Sequence, residues 1–388
     1  MVTPLRLVDF DIDPLRGFVP AHDPLLSLPK PFDAWDRVAA QLPLLIMTGR
    51  TARALQSMPV LDASGLADIH EQRRAQLLLA GFANTWMAVK GAPTIPTAIS
   101  VPLIAVSRAL GMMPITTHAT VVLGNWRRID TAAPLSVDNI DTILTFRGSI
   151  DEKWFFLSTL GVELAGAPAL QHLVDAIDAA DASHHARLAT ALDQVTAIIG
   201  QITTAFMRVR ESCDPYIFYT YVRPFLAGWP APGVTYDGTG VGPVQYNGGS
   251  AAQSSLLQAI DAALGIRHDH GLTNGFLMSM RDYMPPRHRA FIETAGARSR
   301  IRACAADERA PPGLRISYDA AVSAMDELRR KHIGLVSEYI TKQMPAHATA
   351  VGTGGTEFDG FLRQSRVETV TAKIGTAKLG TAKLGKGE

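Results

Sequence analysis

The chain has 388 residues, 47% of them hydrophobic and 19% charged, with a formal net charge of +1. That balance gives no electrostatic reason to bind nucleic acid or an acidic membrane, and no apolar run reaches the roughly 18 residues of a membrane span. The length allows two domains, or one large domain around a substantial core. Cys213 and Cys304 stand far apart in no metal-binding or redox spacing, and "MVTPLRLVDFDIDP" carries acids where a secretory signal is apolar. A reducing cytoplasm is the expected compartment.

Residues 1–35, rich in proline and acids, are expected to run as extended chain over the surface. Helical spacing of apolar residues follows in "WDRVAAQLPLLI", in "LADIHEQRRAQLLLAGFANTWMAV" and in "VPLIAVSRALGM", the last ended by Gly111 and Pro114. The β-branched stretch "TTHATVVL" (116–123) reads as a possible strand, although no partner strand is evident. Beyond about residue 150 the pattern predicts helices over 153–180, 184–210, 214–227, 250–264, 274–284, 286–297 and 317–342. With no βαβ alternation and no repeat of solenoid length, the fold class is all-α.

Segment 230–249, dense in glycine and proline, reads as a long loop of the kind that is often functional. Ser250 followed by Gln253 forms a capping-box pattern, with Leu256, Leu257, Ile260, Ala263 and Leu264 as the apolar face of the helix it would start. The tail repeats "TAKIG TAKLG TAKLG", and residues 371–388 are expected to be disordered.

Several chemical signals fail. "GTGGTE" (352–357) lacks the Lys-Ser/Thr ending of a phosphate loop, and "HEQRR" (70–74) has arginine where the zinc motif needs histidine. "HDH" (268–270) and "SHHARL" (183–188) read as surface, and there is neither a G-x-S-x-G elbow nor a C-x-x-C-H haem-attachment site. One anomaly remains. Ala321, Met325, Leu328, Leu335, Val336 and Tyr339 form a buried helical stripe, and His332 sits inside it. On spacing alone this is either a hydrogen-bonded core histidine or a ligand to something buried.

Six stretches together resemble the indoleamine 2,3-dioxygenase family of haem enzymes: "LGNWRR" (123–128), "FLAGW" (225–229), "GGSAAQSSLLQAID" (248–261), "MRDYMPPRHRAF" (280–291), "LRRKHIGLVSEYI" (328–340) and "GTGGTEFDGFLRQSR" (352–366). Their order and spacing match the family over roughly residues 35–370. The resemblance implies a small, mainly helical N-terminal domain (1–146) capping a large helical haem domain (147–370). It implies one non-covalent haem b per chain, active as ferrous iron and kept reduced by an electron donor. It also implies insertion of both atoms of dioxygen across the indole C2–C3 bond of L-tryptophan, or a related indoleamine, to give N-formylkynurenine. No nucleic acid or membrane partner is implied.

By the same resemblance His332 is the iron ligand, Arg329 approaches a haem propionate, and Asp261 supports Arg329. Phe155 and Phe218 flank the indole, Arg223 grips the substrate carboxylate, and Thr159 supplies a hydroxyl where the family often has serine. Gly249, Ser250 and Ala251 border the haem edge and substrate, and Thr353 lies in a closing "GTGG" loop. The departures are His118 in place of the tyrosine of vertebrate members, Val121 in place of a cysteine, and Tyr219 where another aromatic is usual. They keep open a relative that hydroxylates or rearranges another indole, a haem protein that binds gas without turnover, or a helical interaction protein.

Overall fold

The longest helix begins where the sequence supplies the strongest start signal. In the computed structural model, which describes residues 4–345, 352–353 and 358–375, the Ser149 hydroxyl accepts the backbone N–H of Glu152 at 3.2 Å. The Glu152 carboxylate reaches back to accept the N–H groups of Phe146, Arg147 and Gly148 at 2.5–2.9 Å. One donor of the helix start and three of the turn leading into it are thereby bonded.

The helices are α1 (Asp33–Met47), α2 (Thr51–Gln56), α3 (Ile69–Lys90), α4 (Thr97–Leu110), α5 (Ile150–Asp181), α6 (His185–Met207), α7 (Pro215–Ile217), α8 (Ser255–Leu264), α9 (Gly271–Arg281), α10 (Pro286–Arg298), α11 (Ile301–Ala306), α12 (Pro312–Tyr339) and α13 (Phe358–Thr371). The architecture is all-α, as expected. Helix α6 lies along α5 on one side and α12 on the other, while α3 packs on α4. Buried apolar residues from Leu5 to Ala372 form one contiguous cluster. No helix among the described residues is long and apolar enough to cross a membrane.

Four expectations need correction. The stretch 116–123 is not a strand: Ala119–Leu123 winds as a π-helical turn. With no neighbouring strand to pair its backbone, the chain bonds locally instead. The 230–249 loop contains two strands. Its strands β4 (Val234–Tyr236) and β5 (Val241–Val244) join β1 (Thr94–Ile95) in a three-stranded sheet β1-β4-β5, and β2 (Arg127–Arg128) pairs separately with β3 (Ile140–Asp141). The N-terminal segment does not lie over the surface, because Leu5, Leu7, Ile12, Phe18 and Val19 are buried in the core. At the other end, the first residues of the expected tail are docked. Asp319 on α12 accepts the N–H groups of Ile374 (2.8 Å) and Gly375 (3.0 Å), and Ala372 is buried. Residues 376–388 lie outside the described part.

Helix 214–227 is also broken up. After α7 it continues as a π-helical turn (Phe218–Val222) and a 3₁₀ turn (Arg223–Leu226). Pro224, lacking an N–H and clashing with the preceding turn, is a sufficient cause.

One buried group makes stability depend on pH. The His288 ring is 4% exposed, lies tilted 4.7 Å from Phe18, ring centre to ring centre, and is pushed down by burial to about 4. The unfolded imidazole binds its proton near 6.5. Between those values the unfolded chain holds more protons, so stability falls as pH is lowered through pH 6.5 to 4. His288 alone accounts for about 3 kcal/mol over that window. His288→Gln is expected to flatten the stability profile there by an amount of that order, measured by urea unfolding at a series of pH values. An unchanged slope would refute the assignment.

Candidate functional site

On α12 no residue between Leu328 and Leu335 is fully buried, which interrupts the apolar stripe. The inward position in that gap belongs to His332. Protein surrounds the ring, yet it remains partly accessible because it faces an internal cavity of about 240 Å³. Among the described residues its only specific ring contact is Phe206, edge-on at 5.3 Å, and it forms no hydrogen bond. Burial, reinforced by the nearby Arg329 cation, pushes the imidazole down to about 4. At neutral pH it therefore presents an unprotonated nitrogen. A satisfied core histidine would be bonded; this one is not.

Helix α5 contributes one wall of the cavity. Phe155 and Thr159 lie four residues apart on a single face, and both line it. The Thr159 hydroxyl donates to the Phe155 carbonyl at 2.6 Å, so its oxygen lone pairs, rather than its proton, face the space. Phe218 packs 4.5 Å from Phe155, ring centre to ring centre, and touches Tyr339 edge-on at 5.9 Å. Arg223 lines the same cavity, with its guanidinium 5.4 Å from the Tyr219 ring centre. Burial holds that guanidinium below its usual range.

The far wall is the π-helical turn with His118. Its ring Nε2 lies 2.8 Å from Glu163 Oε1, and the same oxygen accepts the Ser254 hydroxyl at 2.6 Å. The His118 backbone N–H donates to Gln253 Oε1 at 3.0 Å, while Gln253 Nε2 donates to the Gly248 carbonyl at 2.9 Å. Asn84 from α3 ties this wall to the next segment: it accepts the Thr116 N–H and donates to the carbonyls of Phe225 and Ala227. The groups named here are bonded to one another, which makes the wall a rigid polar network, with the buried Thr116 hydroxyl left without a partner beside it.

The glycines of "FLAGW" and "GGSA" have a steric reason. A Cβ on Gly228 would stand 2.2 Å from the Tyr246 carbonyl oxygen, and one on Gly248 would stand 2.1 Å from that of Leu226. The two backbones lie against each other, and only glycine permits it. This contact sets Gly249, Ser250 and Ala251 on the cavity wall. Ser250 Oγ accepts the Ala252 N–H at 3.3 Å, so the expected capping box is not formed. Gln253 is engaged with Gly248 and His118, and α8 starts only at Ser255. Thr353 closes the rim: its carbonyl accepts the Gly248 N–H at 2.9 Å and its hydroxyl donates to the Gly249 carbonyl at 2.6 Å. Residues 354–357 of the expected lid lie outside the described part.

Arg329 and Asp261 stand apart from this cavity wall, one turn along α12. Arg329 Nη2 donates to Asp261 Oδ2 at 2.5 Å and Nε to Ser365 Oγ at 3.2 Å; Nη1 is buried without a partner. His268 was expected at the surface. Instead its ring is inserted between Asp261 (3.3 Å) and Glu368 (2.8 Å), with 9% of the side chain exposed. Ion pairing to two carboxylates offsets its burial. Burial alone would lower the imidazole, but Asp261 and Glu368 raise it above its ordinary range. Burial pushes Asp261 upward, yet Arg329 and His268 hold it below the usual carboxylate range.

These features bear on what the cavity can hold. Among the described residues no three His, Cys, Asp or Glu side chains converge as a bare ion would need. A single neutral imidazole suffices only for a metal that brings its own equatorial donors. The mostly apolar wall suits a flat macrocycle, and the orphaned Arg329 Nη1 is a donor available to a carboxylate tail. The residues fit haem.

Comparison with known proteins agrees. A profile of indoleamine 2,3-dioxygenase matches residues 6–372. The chain belongs to the indoleamine 2,3-dioxygenase family. Members of this family are haem-dependent. Indoleamine 2,3-dioxygenase 2 of Mus musculus is 36% identical, over 96% of both chains. Indoleamine 2,3-dioxygenase of Saccharomyces cerevisiae is 31% identical, over 96% of this chain and 95% of its own. A protein named myoglobin from Haliotis madaka is 32% identical, over 93% of this chain and 95% of its own.

Within the family frame, the structure brings His332, Phe155, Thr159, Phe218, Arg223, His118, Gly249, Ser250, Ala251 and Thr353 to one cavity, and places Arg329 and Asp261 beside it. Sequence reasoning missed Glu163, Gln253, Asn84, His268, Ser365 and Glu368. Gln253 stood inside a quoted motif. Glu163 carried a faint signal as an acid at a helix position otherwise surrounded by apolar residues.

Proposed function

We propose that this chain is a haem-dependent dioxygenase that opens the indole ring of L-tryptophan, or a related indoleamine, to the N-formylkynurenine type of product. The observation that carries the proposal is the neutral, unbonded His332 imidazole facing the same cavity as Phe155, Phe218 and Arg223. In this reading one haem b is held non-covalently through His332, with Arg329 toward a propionate and Asp261 holding Arg329 in place. A separate electron donor keeps the iron ferrous. When bound, the cofactor would supply dioxygen binding and activation. The residues 1–146 then form the cover of the distal face and 147–370 the haem domain. The free Cys213 and Cys304 fit a reducing cytoplasm.

The chain's own residues orient and dry the reaction. Arg223 grips the substrate carboxylate with its planar fork. Phe155 and Phe218, 4.5 Å apart, hold the indole face and edge. Thr159 offers lone pairs to a substrate N–H. Thr353 latches the rim against water through its two bonds to Gly248 and Gly249. His118 replaces the phenol of vertebrate relatives with an imidazole whose direction Glu163 sets.

That last role makes a graded prediction. His118→Phe is expected to raise KM for L-tryptophan roughly five- to tenfold. Glu163→Gln keeps an acceptor for both His118 and Ser254 and should stay within about twofold of the parent. Glu163→Leu strands both donors and should reproduce the His118→Phe effect together with lower thermal stability. Equal kinetics across the three variants would remove His118 from the substrate pocket.

A second reading, dioxygen storage without turnover, is favoured by one observation: the relative named myoglobin. Incubating reduced, haem-loaded protein with L-tryptophan and ¹⁸O₂ separates the two. The dioxygenase reading expects a product carrying two labelled oxygen atoms by mass spectrometry. Stable dioxygen binding with substrate unconsumed would establish the storage reading, and a single labelled atom would point to hydroxylation of the indole.

A further inference from the structure

A second and larger cavity, open to solvent on one side, is lined by residues of α8, α9, α10 and α11 and has a volume of about 630 Å³. Of the residues given a role toward haem or substrate, Asp261 alone borders it. Its floor is apolar, built by Ala262, Ile266, Leu277 and Ile292, and its walls carry the guanidinium groups of Arg267, Arg281 and Arg302.

The balance of charge in this space is uneven. Three carboxylates also face it: Asp261, Asp269 and Glu293. Asp261 is already bonded by Arg329 and His268, and Glu293 by Arg289 at 3.0 Å. By contrast, none of the three arginines has a carboxylate within 4.0 Å among the described residues. Arg281 uses only Nε, on Gln258 Oε1 at 2.8 Å, and Arg302 uses Nε on the Ala372 carbonyl at 3.1 Å. Arg281 keeps its terminal nitrogens for another acceptor; Arg302 also meets the Tyr318 hydroxyl and, like Arg267, is exposed at the cavity rim. Arg281 is half-buried, and burial holds its guanidinium below the usual range. Glu293 and Asp261 act on Arg281 from a distance but neither forms a direct ion pair with it, and burial still outweighs them, so an anion bonded to its terminal nitrogens would relieve the cost.

We infer that this cavity is a binding site for a small organic anion, its carboxylate or similar head held by the wall arginines and its apolar body laid on the floor. Guanidinium groups suit the head because each offers paired N–H donors to two oxygens at once. The apolar floor suits a ring or short hydrocarbon body rather than a bare inorganic ion. The site is separate from the His332 cavity and stands whether or not the dioxygenase reading does.

The test is a calorimetric titration of the ferric, haem-loaded full chain with naphthalene-2-carboxylate and with the neutral naphthalene-2-methanol. The carboxylate is expected to bind one per chain, at least roughly tenfold more tightly than the alcohol. Arg281→Gln should remove that preference, and Ala297→Trp, placed on the exposed lip of the cavity, should block both ligands. An unchanged Soret band in each variant reports an intact fold. Equal affinity for acid and alcohol, undiminished binding by both variants, no binding at all, or a ligand that perturbs the Soret band as an occupant of the His332 cavity would each overturn the inference.

Discussion

His332→Ala is expected to leave expression as a folded, colourless protein. The side chain makes no hydrogen bond among the described residues, and its burial in neutral form contributes little that alanine removes beyond packing against Phe206. Helicity by circular dichroism should stay close to the parent. Haem retention should fall at least roughly tenfold, because among the described cavity residues His332 is the imidazole that would hold the iron. Adding imidazole to His332→Gly, which leaves room for the missing ring, should restore a Soret band with the parental ligand-field signature. A variant that keeps its Soret spectrum unchanged would remove His332 from the iron, and the reading of the cavity with it.

Arg223→Ala is the second large effect. With the guanidinium gone, kcat/KM for L-tryptophan should drop roughly 100- to 1,000-fold, about 3–4 kcal/mol of lost recognition. Most of the loss should appear in KM, since the carboxylate is held alike before and during the reaction. Tryptamine, which lacks the carboxylate, should be handled no worse by the variant than by the parent. Arg223→Lys should recover only part of the loss, because an ammonium cannot grip two oxygens in one plane. A loss shared equally by tryptophan and tryptamine would make Arg223 a structural residue of the 215–226 segment.

The main helices were legible because their information is local. Apolar residues every three or four positions mark α3, α5, α6 and α12 directly, and on α12 the same spacing made His332 stand out as a polar residue in an apolar row. What the spacing could not show is pairing at a distance. His268 reads as part of a polar loop until Glu368, 100 residues onward, is placed against it. Glu163 looks like an ordinary helix-face acid until His118 and Ser254 arrive from two other segments. The strands were missed for a different reason: two to four residues are too few for an alternating pattern to rise above chance. The stretch 116–123 misled because β-branched residues prefer extended backbone, and that preference yields when no neighbouring strand offers hydrogen bonds.

The site residues divide in the same way. Phe155 and Thr159, which the resemblance supplied, stand one turn apart on α5 and so share a face, while His332 stood out on α12 by its own spacing. Gly228 and Gly248 belong to loops, and only the close passage of two backbones explains why no larger residue fits there. The resemblance carried the motif "GGSA.QSS" as a string of letters. The structure turns Gln253 within it into a brace between the two walls of the cavity.

Helix α12 imposes a constraint on how this chain can change in length. Each residue added to an α-helix turns everything beyond it by about 100° and shifts it about 1.5 Å along the axis. A single-codon insertion between Pro312 and His332, with the start of the helix kept in place, would therefore swing the imidazole toward a neighbouring helix and leave the iron position facing another side chain. Insertions and deletions should accordingly be excluded from 312–332 in functional descendants, whereas the connection around 266–270 between α8 and α9 has no such rotational coupling to the ligand.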